Sequence, residues 1–83
     1  MDKSLRLTVL TPEGPVFDGP VDAAFLPGTQ GPFEVLPGHA PIISSLEGGR
    51  IVWRTGGEEQ SVVIKTGSAI QDQGIITVCA QLG

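Results

Sequence analysis

Twelve glycines and seven prolines divide this 83-residue sequence so finely that, beyond Thr11, the longest stretch free of both runs only from Glu58 to Thr66. Glycine and proline are the poorest helix formers, and an average helix takes about 11 or 12 residues, so an ordinary helix has no place past that point. The pieces between the breaks are strand-sized and rich in valine, isoleucine and threonine, which suit a pleated surface. The pattern predicts an all-β fold, a small β-sandwich or barrel of short, mostly antiparallel strands. A chain this short has room for one domain, residues 1–83, with a modest core: it buries only about 60% of its unfolded surface and is marginally stable alone.

Alternation sets the expected faces. Leu5, Leu7 and Val9 alternate with Arg6 and Thr8; Val21, Ala23 and Phe25 are expected to do the same; Ile51 and Trp53 share one face, with Arg50, Val52 and Arg54 on the other. The Gly56-Gly57 pair reads as a tight hairpin turn into the run Ser61 to Thr66. A second hairpin is expected from Ser68 to Ala80, turning at Asp72, Gln73 and Gly74. All seven prolines fall between Pro12 and Pro41. Proline cannot donate to a ladder, so the first half is expected to hold edge strands and shaped loops, and the second half the paired strands. Pro12 should turn the chain at the end of the first strand, and Gly19-Pro20 should make another corner. Gly28, Gly31 and Gly38 are expected at positive φ, with Pro27, Pro32, Pro37 and Pro41 stiffening the loops between them.

Composition excludes several functions. A net charge of −4 and a pI near 4.6 repel phosphate backbones and anionic lipid, so nucleic acid is not an expected partner. No run approaches the roughly 20 apolar residues that span a bilayer, the stretch Met1 to Arg6 does not read as a signal peptide, and no direct bilayer insertion is expected. The single cysteine, Cys79, cannot form an internal disulfide, fits a reducing compartment, and reads as a core or strand residue. Nucleophilic catalysis needs a base, and the one histidine, His39, stands among prolines and glycines with no nucleophile motif nearby. It reads as a loop residue that packs, hydrogen-bonds locally or meets a partner. One cysteine and one histidine supply no metal-ligand spacing, and Glu58 and Glu59 read as solvated acids at a hairpin tip. No phosphate loop ending in Gly-Lys-Ser/Thr is present. No enzyme activity, cofactor or metal is expected. Small acidic β-domains also serve as biotinyl or lipoyl carriers, whose modified lysine stands at a hairpin tip beside methionine or acids. The sole methionine here is Met1, Lys3 is terminal, and Lys65 lies beside the apolar run Val62, Val63 and Ile64.

The segments TPEGPVFDG (Thr11 to Gly19) and LPGTQGPFEVLPGHAPIISSL (Leu26 to Leu46), followed by the Gly49 turn into Ile51, resemble the N-terminal β-sandwich domain of the epsilon subunit of F-type ATP synthase. The match continues more loosely through Lys65-Thr66-Gly67 and Ile76-Thr77-Val78. The resemblance implies a non-catalytic rotor subunit in the central stalk of a proton-translocating enzyme. Such a subunit docks to gamma and to the ring of c subunits, and acts indirectly on alpha and beta. It is held at the cytoplasmic face of a bacterial inner membrane through the complex. By position, Thr11, His39, Ser44 and Thr66 fall where the family faces gamma, and Gly28, Thr29, Gln30, Gly31 and Pro32 where it faces the c-ring. Pro32 stands where the family often has an acid, with Glu34 two positions on. The family commonly continues into a domain of two helices. A chain ending at Gly83 resembles the short form, with no C-terminal helical domain, and is expected to couple the rotor without acting as its ATP-sensing brake.

Overall fold

The computed structural model describes residues 4–83. Met1 and Lys3, weighed above for the carrier reading, lie outside the described residues, as does the start of the stretch Met1 to Arg6. Eight strands follow one another: β1 (Leu5–Thr11), β2 (Gly14–Val21), β3 (Ala23–Leu26), β4 (Phe33–Val35), β5 (Ile42–Leu46), β6 (Gly49–Thr55), β7 (Glu58–Asp72) and β8 (Ile75–Leu82). Their ladder order is β2-β1-β8-β7-β6-β3-β4, with β5 added on β7. Every pairing is antiparallel except β1 with β8.

The hinge of the sandwich is β7. Residues Glu58 to Ile64 pair with β6, and Gly67 to Gln71 pair with β5, while β8 lies along the opposite edge from Ile64 to Asp72. One strand therefore serves two layers, β2-β1-β8-β7-β5 and β7-β6-β3-β4. A bulge makes this possible: the β7–β8 register skips Lys65, so the inward side chains change from Val62 and Ile64 to Ala69 and Gln71. The layers close on each other where the rings of Phe17 (β2) and Trp53 (β6) meet at 4.8 Å between centroids, although their strands share no ladder.

The core fills from both layers, with Leu5, Leu7, Val9, Ile76 and Val78 on one side and Leu26, Val35, Ile51 and Trp53 on the other. Burying each large side chain stabilises the fold by about 1.5–3 kcal/mol before chain entropy is charged against it.

Both hairpins form as two-residue turns, Gly56-Gly57 at φ 58° and 85°, and Gln73-Gly74 at 52° and 79°, the positive-φ pairs that match strand twist. The strand after the first turn begins at Glu58, three residues before the expected Ser61. It also runs for 15 residues, against the expectation of short strands, because Gly67 does not break it. A Cβ at Gly67 would lie 2.8 Å from the Cys79 carbonyl oxygen, so the glycine is there for close approach of β8. The edges β2 and β4 lie in the proline-rich half, as expected, but β1 and β3 of that half are interior, and a third edge, β5, begins just after Pro41 in the half expected to supply only paired strands. The chain turns at Pro12-Glu13, as expected, but Gly19-Pro20 makes no corner and lies within β2, the next change of direction coming at Asp22. Val21 and Ala23 belong to different strands, and in β3 the buried residues are Ala23, Ala24 and Leu26. Phe25 stays half-buried, its ring 5.4 Å beneath the Arg54 guanidinium.

Candidate docking surface

Once Leu7, Val9, Ile76, Val78 and Ala69 point inward, the pleat sends the alternate residues of β1, β8, β7 and β5 to one open face. The registers align them in rows. Ile43, Ile70, Thr77 and Thr8 form one row, Asp72, Ile75 and Arg6 a second, and Ser45, Ser68, Cys79 and Leu10 a third. Ile43 is 87% exposed, Ile70 52% and Ile75 51%. At the β2 margin Asp18 accepts from Arg6 at 3.0 Å and from Thr8 Oγ1 at 3.0 Å. The arginine's charge is thus answered at that margin, and the isoleucine side is left apolar except for the exposed Asp72 beside Ile75. Large exposed apolar side chains grouped on a sheet form the kind of surface that a partner covers.

Thr11 and Thr66 come together at one end of this face. They line a shallow groove of about 370 Å³ with Leu10, Gly67, Cys79 and Ala80. Thr11 is held by the β1–β2 turn, its Oγ1 donating to the Gly14 carbonyl at 2.7 Å and accepting from the Glu13 amide at 3.2 Å. Ser44 goes elsewhere. It lies on β5 between the outward Ile43 and Ser45, donates to the Ser45 carbonyl, and borders a second groove with Thr29, Gln30 and Phe33. Of the four residues matched to gamma, two therefore share a groove, and Ser44 neighbours the loop matched to the c-ring. His39 stands apart on the exposed loop from Pro37 to Pro41. Its Nδ1 lies 2.9 Å from the Ala40 carbonyl, the local bond expected of it.

The loop from Gly28 to Pro32 is strapped to β5: the Thr29 amide donates to the Ser45 carbonyl at 3.0 Å, and the hydroxyls of Thr29 and Ser45 lie 2.7 Å apart. Gly31 and Gly38 take the expected positive φ, of 125° and 85°, but Gly28 does not. Gly28 is buried, and a Cβ there would sit 2.7 Å from the Gly31 carbonyl oxygen and 2.8 Å from the Phe33 ring. Gly28 anchors the loop, and Thr29, Gln30, Gly31 and Pro32 form its exposed surface. Glu34 is exposed beyond it on β4.

Cys79 is a strand residue and not a core one, because its position on β8 has the outward parity of Ile75 and Thr77. Lys65 is exposed at the bulge within β7, whereas the hairpin tips belong to Gly56-Gly57 and Gln73-Gly74, so among the described residues no lysine takes the place a carrier domain needs. Glu58 and Glu59 are exposed beside the first tip, as expected. The sequence did not single out Ile43, Ile70 or Ile75. A signal for two of them was there: a strand with one face open to solvent buries only one neighbour of a doublet such as Ile42-Ile43 or Ile75-Ile76, and the other faces out.

Comparison with known proteins agrees with this fold. The family model for the ATP synthase delta/epsilon chain, β-sandwich domain, matches residues 4–82. The "ATP synthase epsilon chain" of Wolinella succinogenes is 37% identical over 81 residues, covering 96% of this chain and 62% of that protein. That of a Synechococcus species is 39% identical over 83 residues, with 96% and 62% covered. The chain thus spans about three-fifths of the length of these curated relatives. A chain in a cryo-EM structure of the Euglena gracilis mitochondrial ATP synthase, OSCP/F1/c-ring, superposes with a TM-score of 0.88 at 23% identity, covering 96% of this chain and 52% of that one. One in the central stalk/c-ring structure of the Tetrahymena thermophila enzyme gives 0.78 at 15%, covering 96% and 64%. At those identities the likeness speaks for the shared fold.

Proposed function

The chain belongs to the ATP synthase delta/epsilon chain β-sandwich domain family, and on that premise we propose that it is the non-catalytic epsilon-type module of the central stalk. It docks to gamma through the open face of the β2-β1-β8-β7-β5 layer and meets the c-ring through residues 29–32. It helps transmit torque between ion flow and the alpha and beta subunits, and is held at the cytoplasmic face of a bacterial membrane by the assembly. The observation that carries this reading is the row Ile43, Ile70 and Thr77 beside Ile75. It is an exposed apolar surface on a rigid sheet, with Thr11 and Thr66 at its margin and His39 on an adjoining loop. A pre-organised sheet loses little entropy on docking.

The test is titration of this chain with its cognate gamma subunit. Saturating gamma is expected to raise the thermal midpoint, since a partner that binds only the native state stabilises it by mass action. Addition of the chain to ATP synthase lacking its epsilon subunit is expected to improve proton pumping per ATP hydrolysed. A midpoint indifferent to gamma, or pumping indifferent to the chain, would refute the reading.

A further inference from the structure

Gln71 is the one buried polar side chain among the described residues, 3% exposed near the end of β7. Its Nε2 donates to the His39 carbonyl at 3.2 Å, across 32 positions of sequence. Its Oε1 is buried with no partner. On the ladder it lies opposite Ile42, next to the exposed Ile43 and Ile70 pair.

The loop that it reaches has little else to hold it. Pro37 to Pro41 are all exposed, and Gly38 takes φ 85°. The loop's own bonds are local: the His39 amide donates to the Leu36 carbonyl at 3.1 Å, and the His39 ring meets the next carbonyl. Among the described residues, the Gln71 amide makes the one hydrogen bond that ties residues 37–40 to a distant part of the chain.

As a stabilising device this amide is poor. Half of it is desolvated with nothing in return, and an apolar side chain of the same length would bear no such penalty. What the amide supplies, and a methionine could not, is a fixed position for the His39 backbone. We infer that Gln71 is a positioning residue: through the His39 carbonyl it holds the 37–41 loop in register with the Ile43–Ile70 part of the docking face. The inference rests on the docking reading above and adds to it a residue that never touches the partner.

The test uses the full chain and its Gln71→Met variant, with three readouts. Stability is followed by the fluorescence of Trp53, loop order by backbone ¹⁵N relaxation at Gly38, His39 and Ala40, and affinity by calorimetry with gamma. Expected are an unchanged or higher thermal midpoint, increased mobility at those three residues, and binding about tenfold weaker. In a double-mutant cycle, His39→Ala should cost less affinity in the Gln71→Met background than in wild type, because the ring is already misplaced. In the unmodified chain, a through-bond coupling should link the Gln71 side-chain nitrogen to the His39 carbonyl carbon. A Gln71→Met chain that does not fold, or one whose loop is as ordered as wild type, overturns the inference. A loosened loop with unchanged affinity overturns its functional half. If the unmodified chain does not bind gamma, the docking reading falls and takes that half with it, while the relaxation data still decide whether Gln71 positions the loop.

Discussion

Gly67→Ala is the sharpest test of how β7 serves both layers. In an unstrained setting this exchange would stabilise the fold by about 0.4–1 kcal/mol, by restricting the unfolded chain. Here the added methyl would lie 2.8 Å from the Cys79 carbonyl oxygen, 3.1 Å from the Ala80 Cβ and 3.2 Å from its Cα. All three atoms belong to β8, and none is the loose end of a flexible side chain. The strands must move apart just beyond the bulge, where the register has already slipped once. Overpacking of this kind costs about 1–3 kcal/mol; with three β8 atoms at 3.2 Å or closer the cost is about 2 kcal/mol or more, which outweighs the entropic gain and leaves a net loss of roughly 1–2 kcal/mol. For a domain of this size each kcal/mol moves the thermal midpoint by about 4–8 °C, so the variant should melt about 5–15 °C lower. The single tryptophan, Trp53, is buried against Phe17 and reports unfolding through its emission. Gly57→Ala provides the contrast, since a Cβ there meets nothing within 4 Å and the strain is in the φ of 85° alone. A Gly67→Ala midpoint equal to or above wild type would refute the close-approach argument.

Ile43→Ser with Ile70→Ser should weaken binding to gamma by about 1–2 kcal/mol or more and shift stability by no more than about 0.5 kcal/mol; calorimetry and melting on the same samples separate the two. The Cys79 thiol should react with a maleimide in the native chain without denaturant, at a rate that falls when gamma is bound, as mass spectrometry would show. His39→Ala should weaken gamma binding by about 1 kcal/mol with little change in midpoint, because the ring's one hydrogen bond is to its neighbour's carbonyl. Equal losses of stability and affinity would make His39 structural.

The all-β class, the two hairpins and the inward sets of β1 and β6 were legible because they depend on local rules: the breakers, two-residue turns and alternation. What escaped was set by contacts remote in sequence. Gly67 has the composition of a break, and only the position of Cys79 and Ala80 makes it a strand residue. Gly28 reads as a turn glycine until the Phe33 ring is seen against it. The phase change at Lys65 leaves alternation intact on either side, so no short window reveals it. The site was legible as motifs more than as a surface. Thr11 and Thr66 lie 55 positions apart in sequence and meet in one groove because β8 pairs with β1 on one side and with β7 on the other. Ser44 and the 28–32 loop meet because Thr29 bonds to Ser45. The outward isoleucines form a surface only through the pairing of β5, β7 and β8, which no single stretch of sequence contains.

The parallel pairing of β1 with β8, five residues on each side from Arg6–Ile75 to Leu10–Cys79, decides how the domain bears load. The two strands enter from the same end and leave at the other, so tension between the start of β1 and the end of β8 slides one past the other. In that geometry the ladder bonds resist together, in shear. An antiparallel pair pulled from adjacent ends would peel open one bond after another. Antiparallel neighbours flank the pair on both sides, β2 beyond β1 and β7 beyond β8. Along the strand direction the pair therefore resists tension through all its ladder bonds at once.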